Sequence, residues 1–407
     1  MIRQNDPIQI TASVSREGEL FRFEKEGRKA ACCEARGGRV FFSISYDFRE
    51  KPLTLEGAAS VGDEICVRIL PQRIELLVQG KIVDEEWPCG RHELTEEGLT
   101  ASAECRMDPY LPGEKEEPAV LGTFTGAEGW QPEENVFVGD CMPFTDGDRY
   151  HVLYLKDRHH HCSKWGLGAH QWEHISTADF REWQIHPMAV GIDAPEEGSI
   201  CTGSWIRKGG THYLYYTVRT CDGSPASICR SVSEDGYHFR KDPDFAVLLS
   251  DRYTGASARD PKVILAGDGT YHMLLTTSLR AEGRGCLAHL VSRDLEAWEE
   301  QPEPMYVSPT SDEPECCDYF KRDGWYYLVF SLRSHGRYLY SREPFSGWRE
   351  PADPMIPCKS VPKAAVWHDR IIFTGFDGHG HYAGTMTFTE AKPAEDGELR
   401  FVAPFMV

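Results

Sequence analysis

The sequence predicts an all-β protein, with a β-sandwich over residues 1–120 followed by a five-bladed β-propeller over residues 121–407. Three observations carry that expectation. Short runs with period-2 alternation fill the first 90 residues, an aromatic strand motif recurs five times after residue 140, and no apolar stripe of helical period lies between the repeats. A chain of 407 residues is also long enough for two folding units.

The amino-terminal runs are residues 19–24, 40–46, 64–70 and 73–78, separated by Gly-rich breaks. Alternation of this kind buries one face of each antiparallel sheet and leaves the other wet, as in a sandwich. Residues 93–134 change character, with Pro, Gly, Lys and Glu concentrated between Pro109 and Pro118. That stretch reads as a linker between the two units.

The repeat is the main signal beyond the linker. A turn leads into an aromatic or aliphatic strand at residues 146–154, 209–216, 268–275 and 323–330, and more weakly at 368–373. Anchored on Tyr150, Tyr213, Tyr271, Tyr326 and Ile371, the steps are 63, 58, 55 and 45 residues. The first four strands lead to a Ser, an acid and then an aromatic: Ser176 to Trp183, Ser233 to Phe239, Ser292 to Trp298 and Ser341 to Trp348. Steps of this size suit a four-stranded blade with loop insertions, and five of them suit a propeller. A (β/α)8 barrel would need helices between the strands.

Composition narrows the partners. The chain carries 44 basic and 64 acidic residues, a net charge of -20, so its long-range field opposes nucleic acid and anionic membranes and leaves a neutral or cationic ligand open. With 41% hydrophobic residues, a mean hydropathy of -0.46 and no apolar window of about 18 residues, no membrane span is expected. The opening residues lack the apolar core of a signal peptide, so the cytoplasm is the expected location. Fourteen cysteines without a Cys-x-x-Cys spacing, two pairs of them adjacent (Cys32–Cys33 and Cys316–Cys317), read as reduced thiols. No metal or other cofactor is expected, and self-association stays open.

A propeller gathers polar groups from the innermost strand of each blade at its axis, so acids that start a blade are the first candidates for chemistry. Asp140, Asp260 in Arg259-Asp260-Pro261-Lys262, and Glu315 in Glu315-Cys316-Cys317-Asp318 lie 120 and 55 residues apart, one to a blade. An Asp beside Gly or Pro is ordinarily a turn residue. All three, however, stand just ahead of the aromatic strand of their blade. Two carboxyl groups flanking one bond are the minimum for glycoside hydrolysis, one to protonate the leaving oxygen and one to attack.

Five segments in order then resemble glycoside hydrolase family 32, the invertase, inulinase and levanase group. Gly139-Asp140-Cys141-Met142-Pro143-Phe144 stands where that family has Asn-Asp-Pro-Asn-Gly, and residues 172–183 resemble its Trp-Gly-His-Ala-x-Ser-x-Asp-Leu-x-x-Trp. Cys201-Thr202-Gly203-Ser204 is similar to Phe-Ser-Gly-Ser, Arg259-Asp260-Pro261-Lys262 equals Arg-Asp-Pro-Lys, and Glu315-Cys316-Cys317-Asp318-Tyr319-Phe320 resembles Glu-Cys-Pro-Asp-x-Phe. The resemblance implies a retaining mechanism with Asp140 as nucleophile, Glu315 as general acid and base, and Asp260 on the fructosyl hydroxyls. It also implies substrate-binding positions at Arg259, which contacts the sugar or holds Glu315, and at His174, Trp172, Thr202 and Cys316. The implied substrates are short β-fructofuranosides or fructose-containing oligosaccharides.

Two departures bear on that reading. Val136-Phe137-Val138-Gly139 replaces the family's Trp-Met-Asn before the nucleophile, and Cys141-Met142-Pro143 follows it in place of Pro-Asn-Gly. The family usually carries its sandwich after the propeller, whereas here the sandwich comes first; residues 67–80 resemble a strand pair of that concanavalin-like sandwich, for which packing is the expected role. Rival readings are an arabinofuranosidase-type enzyme, a fructosyltransferase or difructose-anhydride-processing enzyme, and a sugar-binding propeller without turnover.

Two side-chain groups stand outside this scheme. His159-His160-His161-Cys162, with His170 and His174 nearby, invites a metal reading, but adjacent residues on an extended segment point to opposite faces, so shaping of a substrate subsite is at least as natural. Trp130, Trp165 and Trp172 flank the first blade and offer aromatic faces either to a sugar or to blade packing.

Overall fold

The structure is a computed structural model that describes residues 7–46, 51–70, 73–86, 92, 94–101, 104–110, 118–133, 135–158, 160, 170–192, 194, 197–220, 224–358, 360–402 and 405. Its regular structure is strand throughout apart from two single-turn 3-10 helices, and none of its helices is long and apolar enough to cross a membrane. The described chain forms two compact units.

The first unit pairs two five-stranded antiparallel sheets. One runs Cys105–Pro109, Ile8–Ser13, Glu64–Ile69, Ile74–Val78, Lys81–Glu86, and the other runs Leu53–Ala58, Arg39–Ile44, Arg28–Arg36, Gly18–Lys25, Leu99–Ala101. Alternation decides which side chains go inward. In Glu64–Ile69 the residues Ile65, Val67 and Ile69 are fully buried, and in Ile8–Ser13 it is Ile8, Ile10 and Ala12. These meet Phe21, Phe23 and Phe42 in one apolar core.

The expected linker at 93–134 is partly strand. Leu99–Ala101 and Cys105–Pro109 are sandwich edge strands, and Gly122–Thr125 is the outermost strand of the first sheet of the second unit. Each is three to five residues long and at most half-buried, so none carries the alternation that announces a strand.

The second unit holds five successive antiparallel sheets, whose first strands are Val136–Asp146, Glu197–Lys208, Arg259–Leu265, Glu315–Arg322 and Ser360–Trp367. The repeat read from the sequence is the second strand of each: Arg149–Arg158, Thr211–Thr220, Tyr271–Leu279, Trp325–Leu332 and Arg370–Asp377. The recurrent Ser and acid build one turn. Ser233 Oγ accepts the Gly236 N–H at 2.9 Å and Asp235 Oδ1 those of Tyr237 and His238 at 2.8 and 2.9 Å, and Ser292 with Asp294 repeats the pattern. In the first sheet Thr177, one residue later than Ser176, takes the hydroxyl's part. Sheets of five, four and three strands occur; the three-stranded fourth sheet is extended by the isolated bridges Tyr340–Arg349 and Arg337–Met355.

Hydrogen bonds between first strands close these sheets into a ring. Gly203 N donates to Met142 Sδ (3.3 Å), Ser204 Oγ to Pro261 O (2.8 Å), Cys316 N to Asp260 Oδ2 (2.8 Å), Ala364 N to Asp318 Oδ2 (2.7 Å) and Thr145 Oγ1 to Val366 O (3.2 Å). The last bond returns the fifth sheet to the first, which is propeller architecture. Apolar side chains fill the space between neighbouring sheets, among them Tyr150, Trp183, Ile372 and Phe388 between the first and the fifth. Gly203 is required in the first strand of the second sheet, because a Cβ there would stand 1.8 Å from Tyr215 O on the neighbouring strand.

Candidate active site

Four of the five first strands share a local defect. The ladder slips between Val138 and Cys141, Arg259 and Lys262, Glu315 and Asp318, and Ser360 and Lys363, each time with two residues facing one. Within these bulges Asp260, Cys316 and Val361 hold left-handed backbone, at φ 56°, 53° and 46°. Such conformations are costly for non-glycine residues and persist where the surroundings impose them. The three carboxyl groups singled out from the sequence sit in or beside the bulges of three different strands.

Those groups are linked through shared donors. Asp140 is buried, and its Oδ2 accepts the Thr202 hydroxyl and, at 3.5 Å, the Cys316 thiol. Its Oδ1 accepts the Tyr382 hydroxyl at 3.1 Å. Asp260 Oδ2 accepts the Cys316 N–H at 2.8 Å, so Cys316 touches both aspartates, one through its thiol and one through its backbone. Glu315 precedes it, has a half-exposed side chain, and takes Arg259 Nη2 on Oε1 at 2.8 Å.

Arg259 is held from the other side by Glu313, whose Oε2 lies 2.6 Å from Nη1 while its Oε1 accepts Ser278 Oγ at 2.6 Å. Arg259 Nε is 3.7 Å from Asp260 Oδ2. One guanidinium therefore fixes the orientation of Glu315 and offsets charge at Asp260.

Burial, the largest influence, pushes the Asp140 carboxyl above its ordinary value; the Asp260 charge acts the same way, and hydrogen bonds from Thr202 and Tyr382 together with His170 oppose it. Burial also raises Glu313, but the Arg259 charge and hydrogen bonds from Ser278, Arg259 and Ser257 outweigh it and hold that carboxyl below the usual range. The Cys316 thiol is driven well up by burial and then by Asp260 and Asp140, so it stays a neutral donor and is no nucleophile.

Thus the structure gathers Asp140, Thr202, Asp260, Arg259, Glu315 and Cys316, and sets Trp172 and His174 apart. Trp172 is fully buried, gives its indole N–H to Cys201 O at 3.0 Å and packs edge-on against Tyr216. His174 is fully buried against His151, with 3.0 Å between ring nitrogens. Both are packing residues here, and neither presents a face to a sugar. Trp130 stacks on Phe124 at 4.3 Å and is likewise part of the packing.

His159, His161, Cys162 and Trp165 lie outside the described residues. His160 stacks on Phe137 at 3.6 Å, and His170 Nε2 is 2.8 Å from Asp157 Oδ1. Among the described residues no three His, Cys, Asp or Glu side chains come together as a metal-ligand set. Sequence reasoning missed Tyr382 and Glu313. Tyr382 comes from a turn 242 residues after Asp140, and no local pattern announces such a contact.

His174 belongs to a buried stack with its own consequence. His151, His174 and His186 lie ring against ring, with centroids 5.2 and 4.5 Å apart, between Phe144 and Tyr237. Burial lowers all three pKa values, to about 3 for His151, about 4 for His186 and well below the usual for His174. The unfolded chain therefore binds more protons below the ordinary histidine value of about 6.5, and stability falls as pH drops through that point toward 4. Urea unfolding is expected to show a loss of roughly 1.4 kcal/mol per histidine per pH unit below about 6. His92, His212, His272 and His289 are lowered by burial too and add to the slope, so His174→Gln should flatten it by one histidine's share, roughly 1.4 kcal/mol per pH unit. A wild-type stability that does not change between pH 7 and 5 would show that the rings are not held neutral.

A closed ring of sheets with carboxyl groups drawn together from its first strands is the architecture of propeller glycoside hydrolases. Residues 129–343, more than half of the chain, match the family described as glycosyl hydrolases family 32 N-terminal domain, and the chain belongs to that family. It is 28% identical over 204 residues to sucrose-6-phosphate hydrolase of Escherichia coli (48% of this chain, 41% of the relative). It is 24% identical over 213 residues to an insoluble isoenzyme of β-fructofuranosidase of Arabidopsis thaliana (50% and 35%). The matches thus span less than half the length of these curated relatives. Among solved structures, fructan 1-exohydrolase IIa from Cichorium intybus superposes with a TM-score of 0.55 at 14% identity, covering 69% of this chain and 60% of that one.

Proposed function

We propose that the protein is a retaining glycoside hydrolase acting on short β-fructofuranosides or fructose-containing oligosaccharides. The observation that carries this reading is the convergence of Asp140, Asp260 and Glu315 through Cys316 and Arg259. Family membership and the β-fructofuranosidase and sucrose-6-phosphate hydrolase names of the relatives support the sugar class. A variant of the Cichorium intybus enzyme has been solved in complex with 1-kestose, a short oligosaccharide.

In the first step Asp140 Oδ1 gives its electron pair to the anomeric carbon of the fructosyl unit. The bond from that carbon to the leaving oxygen breaks, its electron pair goes to the oxygen, and Glu315 supplies the proton. In the second step Glu315 takes a proton from water, whose oxygen displaces Asp140 and frees the sugar with its configuration retained. Oδ1 suits the attack because it accepts one side-chain donor whereas Oδ2 accepts two. Asp260 accepts sugar hydroxyls and favours the positive charge that develops on the ring.

Proton NMR of a panel of sucrose, 1-kestose, inulobiose, levanbiose, difructose anhydrides and aryl arabinofuranosides tests the proposal. The expected result is fructose released first as the β anomer. Release of the α anomer would refute retention, and turnover confined to arabinofuranosides would move the enzyme to the arabinofuranosidase reading.

A further inference from the structure

We infer that Tyr382 is a positioning residue for Asp140, reaching from the fifth sheet into a gap left by Gly139. This rests on Asp140 being the nucleophile. The Tyr382 hydroxyl donates to Asp140 Oδ1 at 3.1 Å and accepts the Asp140 backbone N–H at 3.4 Å, so one group holds both the carboxylate and its main chain.

Three features show that this contact is built. A Cβ on Gly139 would lie 2.8 Å from the Tyr382 hydroxyl, so the missing side chain is the space that oxygen uses. The turn presenting Tyr382 is constrained: Ala383 is left-handed at φ 61°, Gly384 pairs with Val138 through 2.8 and 2.9 Å backbone bonds, and a Cβ on Gly384 would stand 1.9 Å from Asp377 O. The Tyr382 ring rests on His170 at 5.3 Å, nearly parallel, and His170 is anchored to Asp157.

A donor on the attacking oxygen has two effects. It favours the ionised carboxylate, and it stabilises that carboxylate again as it leaves in the second step. The charged or titratable groups that act on Asp140 are Asp260 from the third sheet, Cys316 from the fourth, Tyr382 from the fifth, and His170 and Cys141 from the first; Arg259 stands behind Asp260, Glu315 and Lys363 act on Cys316, and Asp157 acts on Tyr382. None of the others touches Oδ1 among the described residues.

The test uses 1-kestose hydrolysis by the full chain. Tyr382→Phe keeps the ring on His170 and removes only the hydroxyl, with its bond to Oδ1 and the longer one from the Asp140 N–H, so kcat should fall about 10- to 100-fold with KM nearly unchanged, the loss expected chiefly for the hydrogen bond to a charged group. The acid limb of the pH profile should move to higher pH. Gly139→Ala should give the same signature by displacing the hydroxyl, and the double variant should be no worse than the poorer single one, since both remove one interaction. An unchanged kcat and acid limb in Tyr382→Phe, or losses that multiply in the double variant, would overturn the inference. Carboxyl 13C titration of Asp140, assigned by its disappearance in Asp140→Asn, reads the same contact without turnover. If the wild type leaves 1-kestose intact, the hydrolase reading fails on that substrate while this titration still decides: a midpoint raised by Tyr382→Phe supports the inference, and an unmoved one overturns it.

Discussion

Asp140→Asn is expected to reduce turnover of β-fructofuranosides by roughly 10⁴- to 10⁶-fold, the range seen when a nucleophile is removed from an otherwise intact site. The exchange is nearly isosteric, and the Asn side chain can still meet Thr202 and Tyr382. What disappears is a charged oxygen able to form the covalent bond. The same substitution should raise the unfolding midpoint at pH 7. Burial and Asp260 raise the folded-state pKa of Asp140, so its ionised form weakens the fold as pH rises through that raised value, whereas below the ordinary carboxylate range the penalty is absent. A neutral amide removes the penalty. Loss of turnover with a higher midpoint is therefore the signature of a functional carboxylate, and loss with a lower midpoint would mark Asp140 as structural. Wild-type protein quenched during turnover should carry one hexosyl unit on the peptide containing Asp140, and the Asn variant none.

The sandwich and the ring were legible in the sequence for different reasons. Alternation in residues 64–70 reported burial on one face directly, while the ring came from a repeat whose aromatic strands are buried between sheets on both sides, as Tyr215 and Tyr327 are. Edge strands such as Cys105–Pro109 left no comparable trace because half-exposed residues are under little compositional pressure. Within the site, Asp140, Asp260 and Glu315 were readable because each occupies a bulge or its margin at the start of a blade. Trp172 and His174 stand apart from the gathered carboxyl groups for an instructive reason. They belong to a matching segment, yet their strand, Gln171–Thr177, is the third of its sheet, two places removed from the axis. Tyr382 was invisible because its partner is set by ring closure, a property no local window contains.

Glu315→Gln should lower hydrolysis of sucrose or 1-kestose by roughly 10²- to 10⁴-fold, the usual share of general acid catalysis, while sparing the first step on aryl fructofuranosides, whose leaving groups need no proton and should appear as a burst. Stability should barely change. Glu315 is half-exposed, and its pair with Arg259 contributes little in water; the arginine keeps Glu313 at 2.6 Å and Asp260 at 3.7 Å when Glu315 becomes neutral. The contrast with Asp140 follows from position. The buried carboxylate, held by three donors, is the one proposed to form the bond, whereas the half-exposed one, held by a single arginine, is the one proposed to move the proton. In the proposed second step Glu315 is also the base, so the variant should accumulate the covalent intermediate from aryl substrates. Added azide, which needs no base, should release it as the β-fructosyl azide. A variant whose aryl burst is slowed as much as its hydrolysis of natural sugars, and deaf to azide, would mean that Glu315 orients substrate without moving a proton, and the acid would then have to be sought elsewhere on the rim.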